Sequence, residues 1–306
     1  MPKTKEHGFT NQHIVPKSYL DRFATKTENR KYRLGVVPRN GKPFINSTNN
    51  IGYKKNYYDI PFIEDTKAWE HFYSAAIEGP CSKAMDNLII RIYMSAPKLF
   101  QLTYYDKIYL SLFIISQITR VPAFIDYWQK HKSQEIFSNT KAKILEENAS
   151  ILSEEMIEVI NKVNFTEEEI KQMILSNIND PRKIKKYCTI LLNRTWCVCF
   201  NAAFNDVPFI TSDNPEVLIN YVDGVISNTQ NGIGRKDTDI YFPLTPKISI
   251  MLLARGDREL DNIDSHMLIF DNSMVKTVEF FNNIEIKNCT DQVFYPLEYY
   301  NLKYGN

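Results

Sequence analysis

The chain has 306 residues, a formal net charge of +1, 43% hydrophobic residues and 24% charged ones. That length allows a substantial core, and the composition excludes a disordered, fibrous or wholly basic nucleic-acid-coating chain. Local charge is less even: residues 1–55 carry twelve Lys/Arg against three Asp/Glu, whereas 135–169 carries three against nine. The basic N-terminal face either meets phosphates or pairs with the acidic segment.

Asn11 to Phe23 sets His13 before a stiff Ile14-Val15-Pro16 step, with Tyr19, Leu20 and Phe23 at helical spacing behind it. Pro16 biases Val15 to extended backbone, so His13 ends a strand or loop with a short helix to hold it still. Lys31 to Ile45 reads as a hairpin around Asn40-Gly41. In the next loop Tyr53, Tyr57 and Tyr58 interleave with Lys54 and Lys55, a pattern that suits base stacking or an ordinary loop.

Helices are expected from about Thr66 to Asn193. Trp69, Phe72, Tyr73, Ala76 and Ile77 make the first apolar stripe, with Glu70 and Glu78 on one side two turns apart. Thr103 and Asp106 resemble a capping box opening the apolar run Ile108–Ile118, which is too short to span a bilayer and suits a buried helix. Leu112, Phe113 and Ile115 are its expected core residues. Arg120 ends this helix before Val121-Pro122, where it suits the helix dipole and also a phosphate or carboxylate. The segment 128–180 reads as a peripheral, polar helical excursion with a clear capping box at Thr166–Glu169. Pro181 opens a further helix to Asn193.

The period changes at Thr195. Trp196–Phe200 and Pro208–Ile210 read as a hairpin that delivers the turn Thr211-Ser-Asp-Asn-Pro215, where Asp213 ends a buried element. Strands follow at Ile240–Leu244 and Ile248–Leu253, then a helix from Met274 to Asn288 and an aromatic tail at Phe294, Tyr295, Tyr299 and Tyr300. Together with Leu34–Val37, these strands predict one α+β domain over 1–306. Its helical layer, about 66–193, packs on a mainly antiparallel β-sheet. Five cysteines, an odd number without metal spacing, read as reduced residues of a cytoplasmic protein. The first twenty residues carry no apolar leader run.

His13-Ile-Val-Pro16 with Tyr19-Leu20 and Phe23, Arg120-Val-Pro122, Phe209-Ile-Thr-Ser-Asp-Asn-Pro215 and Phe242-Pro-Leu-Thr-Pro246 stand in this order in the chain. The set resembles the bacterial domain-of-unknown-function family numbered 4238. That family opens roughly His-x-x-Pro-x-x-Tyr-Leu-x-x-Phe and later reads Ser-Asp-x-Pro and Phe-Pro-Leu-x-Pro. The resemblance spans nearly the whole chain and implies no activity. Locally, His13-Ile-Val-Pro16 is similar to the start of a His-Asn-His nuclease motif, whose His activates water against a metal-bound phosphate. Gln12 stands where that motif has a metal-ligating Asp, and no following helix supplies the expected Asn or His.

Two functional expectations result. The first is a hydrolase acting on nucleic acid or a nucleotide, in which His13 is the general base, Asp213 its orienting partner or a metal ligand, and Arg120 a phosphate clamp. Lys17, Arg22, Lys54, Lys55, Ser212 and Asn214 would contact substrate, and a divalent metal is compatible with this chemistry. The second is a non-catalytic binding or interaction protein in which the His13 motif is a structural staple. Both expect His13 to dock on the Ser212-Asp213 turn, and a carboxylate partner there would raise the His13 pKa.

Overall fold

The structure, a computed structural model, describes residues 11–29, 31–60, 65, 67–95, 100–222, 225–227, 232–254 and 266–305. The expected helical start at Thr66 lies outside these residues. Proline and polar turns cut the N-terminal part into β1 (Asn11–His13), a one-turn helix α1 (Lys17–Leu20), β2 (Thr25–Lys26), β3 (Tyr32–Pro38), β4 (Phe44–Ser47) and β5 (Tyr53–Lys55). Pro16 begins α1 as expected for a residue with fixed φ at a helix entry. The hairpin around Asn40-Gly41 forms, with Val36 opposite Phe44 and Gly41 at φ +127°.

Helices follow as α2 (Ala68–Phe72), a π turn at Tyr73–Glu78, α3 (Gly79–Met94), α4 (Tyr104–Arg120), α5 (Pro122–Glu147), α6 (Glu154–Lys162), α7 (Glu167–Ile178) and α8 (Pro181–Leu192). Both expected capping boxes close, Thr103 with Asp106 and Thr166 with Glu169. Asp180 caps α8 ahead of Pro181. Val121 is extended before Pro122, so α4 and α5 meet at a 58° bend. In the first apolar stripe Tyr73 and Ile77 are buried, but the π turn widens the helix there and Ala76 faces out. On α4, Phe113 and Ile115 are buried as expected, while Leu112 is only half-buried.

The remaining chain forms β6 (Thr195–Asn201), β7 (Thr211–Ser212), β8 (Val217–Val222), β9 (Val225–Ser227), β10 (Thr238–Thr245), β11 (Ile248–Leu253), β12 (His266–Phe270), α9 (Val275–Asn288), β13 (Gln292–Pro296) and α10 (Leu297–Tyr304). Six strands pair in the order β12-β6-β11-β10-β8-β9, antiparallel except for β12 on β6. A second antiparallel sheet runs β2-β3-β13-β7 with β4 on β3, and β1 pairs with β5 alone. The fold is therefore α+β, a helical layer on mainly antiparallel sheets.

The strand period places the six-stranded sheet between two helical surfaces. Trp196, Val198, Ile240, Phe242, Ile250 and Leu252 join Leu110, Phe113 and Ile114 of α4 in the largest core. Their neighbours on the opposite face, Cys199, Ile219 and Tyr241, pack on Val278, Phe281 and Ile284 of α9. Leu34–Val37 belongs to the second sheet, not to this one. Two further expectations are corrected. Pro208–Ile210 is not a strand paired with β6, which lies between β11 and β12. Its backbone is held instead by Phe209 N–H on the Pro246 carbonyl and Ile210 N–H on Asn282 Oδ1, and Pro208 has no N–H to give. The aromatic tail is not a tail: it forms β13 and α10, and the Tyr300 ring lies against Gly35, where a Cβ would come within 2.0 Å of it.

Among the described residues no single helix is long and apolar enough to cross a membrane.

Candidate functional site

β1 alternates, so Gln12 points into the core and His13 to the other side of the strand, where it is half-buried. Gln12 is buried: its amide donates to Asp59 Oδ1, and its Oε1 accepts the Tyr58 N–H at 2.6 Å. Beyond His13 the chain turns, and the N–H groups of Ile14 and Val15 both donate to the Gly52 carbonyl, at 2.9 and 3.0 Å. Gly52 has φ +66°, a backbone state that L side chains rarely adopt.

The side chain that holds this turn is Arg120, at the end of α4 and 1% exposed. Its Nε donates to the Ile14 carbonyl at 2.9 Å, one terminal nitrogen to the His13 carbonyl at 3.0 Å, and the other to Glu78 Oε1 at 2.8 Å. Gln117, one turn earlier, also donates to the Ile14 carbonyl at 2.6 Å. The guanidinium lies 4.9 Å from the centre of the Tyr73 ring, and the Tyr58 hydroxyl donates to the Arg120 carbonyl. Each of the three guanidinium nitrogens thereby has a partner inside the protein, and with 1% exposure the fork is not presented to an external phosphate.

The His13 ring is edge-on to Tyr53, and its Nε2 is buried without a hydrogen-bond partner among the described residues. Burial lowers its pKa below the ordinary imidazole value, with Glu78 acting in the opposite direction and Arg120 and Lys17 reinforcing the shift. The expected rise is thus corrected, because desolvation outweighs the two nearby carboxylates, Glu78 and Asp21. Glu70, eight residues before Glu78, is pushed up to about 7 by burial and then by Glu78 itself. The basic residues around this turn have internal partners. Lys17 pairs with Asp21 at 2.6 Å, and Arg22 with Asp86, Ser82 and the Ser18 carbonyl. Lys54 and Lys55 lie on β5 opposite Gln12 and Asn11, with Lys54 over the Tyr57 ring.

The second half of the expected site is built from different elements. Asp213 accepts three backbone N–H groups, from Thr290, Asp291 and Gln292, at 2.8, 2.7 and 3.2 Å. It fastens the link between α9 and β13. Burial nevertheless raises its pKa, which those three bonds oppose. Ser212 is buried and donates to Glu285 Oε1 at 2.7 Å, while Asn214 and Asn288 donate to each other's carbonyls. No hydrogen bond joins His13 to Asp213, so the expected docking contact is corrected: the oxygens of Asp213 are taken by backbone donors.

Docking between these regions does occur, through Tyr19. This fully buried residue bonds to Thr211 Oγ1 at 2.8 Å and donates to the Pro243 carbonyl at 2.6 Å. Its ring stacks on Phe242 at 5.3 Å and tilts against Phe113 at 5.7 Å. One phenol therefore ties the opening motif to the Thr211–Pro215 turn and to the Phe242–Pro246 strand, while Arg120 ties the same motif to α4. A family model described as "Protein of unknown function (DUF4238)" matches residues 11–296. The chain belongs to the DUF4238 family. No curated protein and no solved structure matches it.

In this DUF4238 chain two further carboxyls lie inside the fold. Glu285 is fully buried, and among the described residues its second oxygen has no partner. Glu216 is 4% exposed, and among the described residues no other residue bonds to its carboxyl oxygens, on which its own backbone N–H acts. Burial pushes both well above the ordinary carboxyl range, and Glu285 adds to the shift at Glu216. Glu285 was legible in principle, since it continues the apolar stripe of Val278, Phe281 and Ile284 where a carboxylate is out of place. Glu216 follows Pro215 at the start of a strand and carries no such local signal. Among the described residues no three His, Cys, Asp or Glu side chains converge to hold a metal ion. The ligand set that the nuclease reading needs is therefore not found among these residues.

Proposed function

We propose that this protein is a non-catalytic binding protein of the bacterial cytoplasm, in which the His13 motif is a structural staple. One observation carries the reading: Arg120, the residue expected to clamp a phosphate, is buried with its fork on the His13 and Ile14 carbonyls and on Glu78. Removing a buried guanidinium that bonds through all three nitrogens disturbs folding, which is the behaviour of a staple. The substrate contacts expected from Lys17, Arg22, Ser212 and Asn214 are likewise taken up internally. All five cysteines are free, in keeping with a reducing compartment.

A second reading is favoured by one observation of its own. Among the described residues the His13 Nε2 has no partner, and its pKa is lowered, so the ring is neutral near pH 7 and chemically fit to accept a proton. On that reading the chain is a hydrolase of nucleic acid or nucleotide phosphodiesters with His13 as base. Cleavage of single- and double-stranded DNA, RNA and a chromogenic phosphodiester, with Mg²⁺ or Mn²⁺ added, separates the two. The binding reading expects no turnover that differs between the wild type and His13→Ala. Turnover abolished by His13→Ala, with the unfolding transition kept, would replace it by the hydrolase.

A further inference from the structure

Among the described residues α6 buries no side chain, although its sequence is that of a helix made to pack. Met156, Val159 and Val163 follow at steps of three and four and so share one side, yet they are 54%, 62% and 39% exposed. Ile151, just ahead of the helix, is exposed as well. The helix itself is well held. Ser153 Oγ caps it by accepting the Met156 N–H at 3.3 Å, and Lys141 Nζ of α5 donates to the Asn161 carbonyl at 2.7 Å. An apolar face on a capped and anchored helix marks an interaction surface.

We propose that this face joins two copies of the chain, α6 against α6, antiparallel across a two-fold axis. The order of charge beside the face carries the choice of occupant. At about 100° per residue, Glu154 and Glu158 fall on the far side of α6, while Glu155 and Lys162 border the apolar face on one flank, near opposite ends. Two such helices centred on Val159 bring Glu155 of each copy beside Lys162 of the other, and Met156 of each beside Val163 of the other. The helix dipoles then oppose favourably. The segment 135–169 is acidic as a whole, but this flank contributes one charge of each sign, so like charges do not meet at the face. Lys162 also pairs with Glu158 of its own helix, an exposed and therefore weak bond that leaves the ammonium free to turn. A nine-residue helix buries less than a standard interface, so the dimer is reversible. The inference goes beyond the binding reading and does not rest on it.

Sedimentation velocity of the full chain at a series of loading concentrations tests it. The wild type should pass reversibly from monomer to dimer, half associated at or below about 100 µM. Val159→Glu sets two like charges at the axis and should weaken association at least about tenfold. Its unfolding transition should be unchanged, because the position is largely exposed. Glu155→Lys and Lys162→Glu should each associate at least about fivefold more weakly than the wild type. An equimolar mixture of these two variants should recover to within about twofold of it, because the mixed dimer restores both ion pairs. A wild type that stays monomeric overturns the inference and leaves the face to a different partner. Association that Val159→Glu does not weaken, or a mixture no tighter than either variant alone, overturns it too. The phosphodiester assay leaves these results unchanged whichever way it falls, so the two failures are distinguishable.

Discussion

Glu285 and Glu216 are two carboxyls whose ionisation the folded state opposes. Both are buried, and burial raises both above the ordinary carboxyl range. A carboxyl whose folded-state pKa lies above its unfolded one binds more protons when folded. The stability this gives is fully present below the unfolded-state pKa and is lost as pH rises through the folded one. Stability should therefore fall as pH rises above the usual carboxyl range. Glu285→Gln keeps the shape and an acceptor for Ser212, and removes one such proton. Urea unfolding at a series of pH values should show the decline shallower by up to one proton, about 1.4 kcal/mol per pH unit. An unchanged slope would mean that Glu285 stays ionised in the folded protein. His13 contributes in the opposite sense. Its lowered pKa gives stability that is present above the unfolded imidazole value and lost as pH falls through the folded one.

At the scale of elements, the link from β1 to α1 depends on one turn. The Gly52 carbonyl receives the Ile14 and Val15 N–H groups, and its φ of +66° is the reason glycine stands there. A Cβ would also lie 2.9 Å from the Leu20 side chain and 3.3 Å from the Val15 carbonyl oxygen. Gly52→Ala should cost about 1–2 kcal/mol from backbone strain alone. Hydrogen exchange should show the Ile14 and Val15 amides losing protection before those of β10. Unaltered protection at both amides would mean that the turn does not hold the motif.

Elements were legible in the sequence where their signals are local. The caps of α4, α7 and α8 consist of adjacent residues, and the change of period at Thr195 marks β6 within its own strand. What failed was non-local. Phe209-Ile210 has the composition of a strand, but its bonding partners are Pro246 and Asn282, far along the chain. The terminal aromatics are a strand because Leu34–Pro38 lies open to them, which no local pattern reveals. The same limit applies to the site. The motif blocks could be found from residue order, but not which side chain joins them: His13 is prominent in the sequence, and Tyr19, placed on an apolar comb, looks like ordinary core.

For the whole molecule, the stretches that mark the family converge on one interior region. The helical layer supplies Arg120 and Phe113, the six-stranded sheet supplies Phe242 and Pro243, and the second sheet supplies Thr211. Tyr19, from the opening motif, touches all three layers. These contacts lock helices and two sheets around the N-terminal segment. The most direct test is a double-mutant cycle of Tyr19→Phe and Thr211→Val, read by denaturant unfolding. Tyr19→Phe should cost about 1–3 kcal/mol, because it leaves the buried Thr211 hydroxyl and Pro243 carbonyl unpaired; Thr211→Val should cost less, because the Tyr19 hydroxyl keeps its bond to the Pro243 carbonyl. The two should couple by at least about 0.5 kcal/mol, the double variant costing less than their sum. Two small, strictly additive costs would contradict the account, since Tyr19 would then not be what joins the motif blocks.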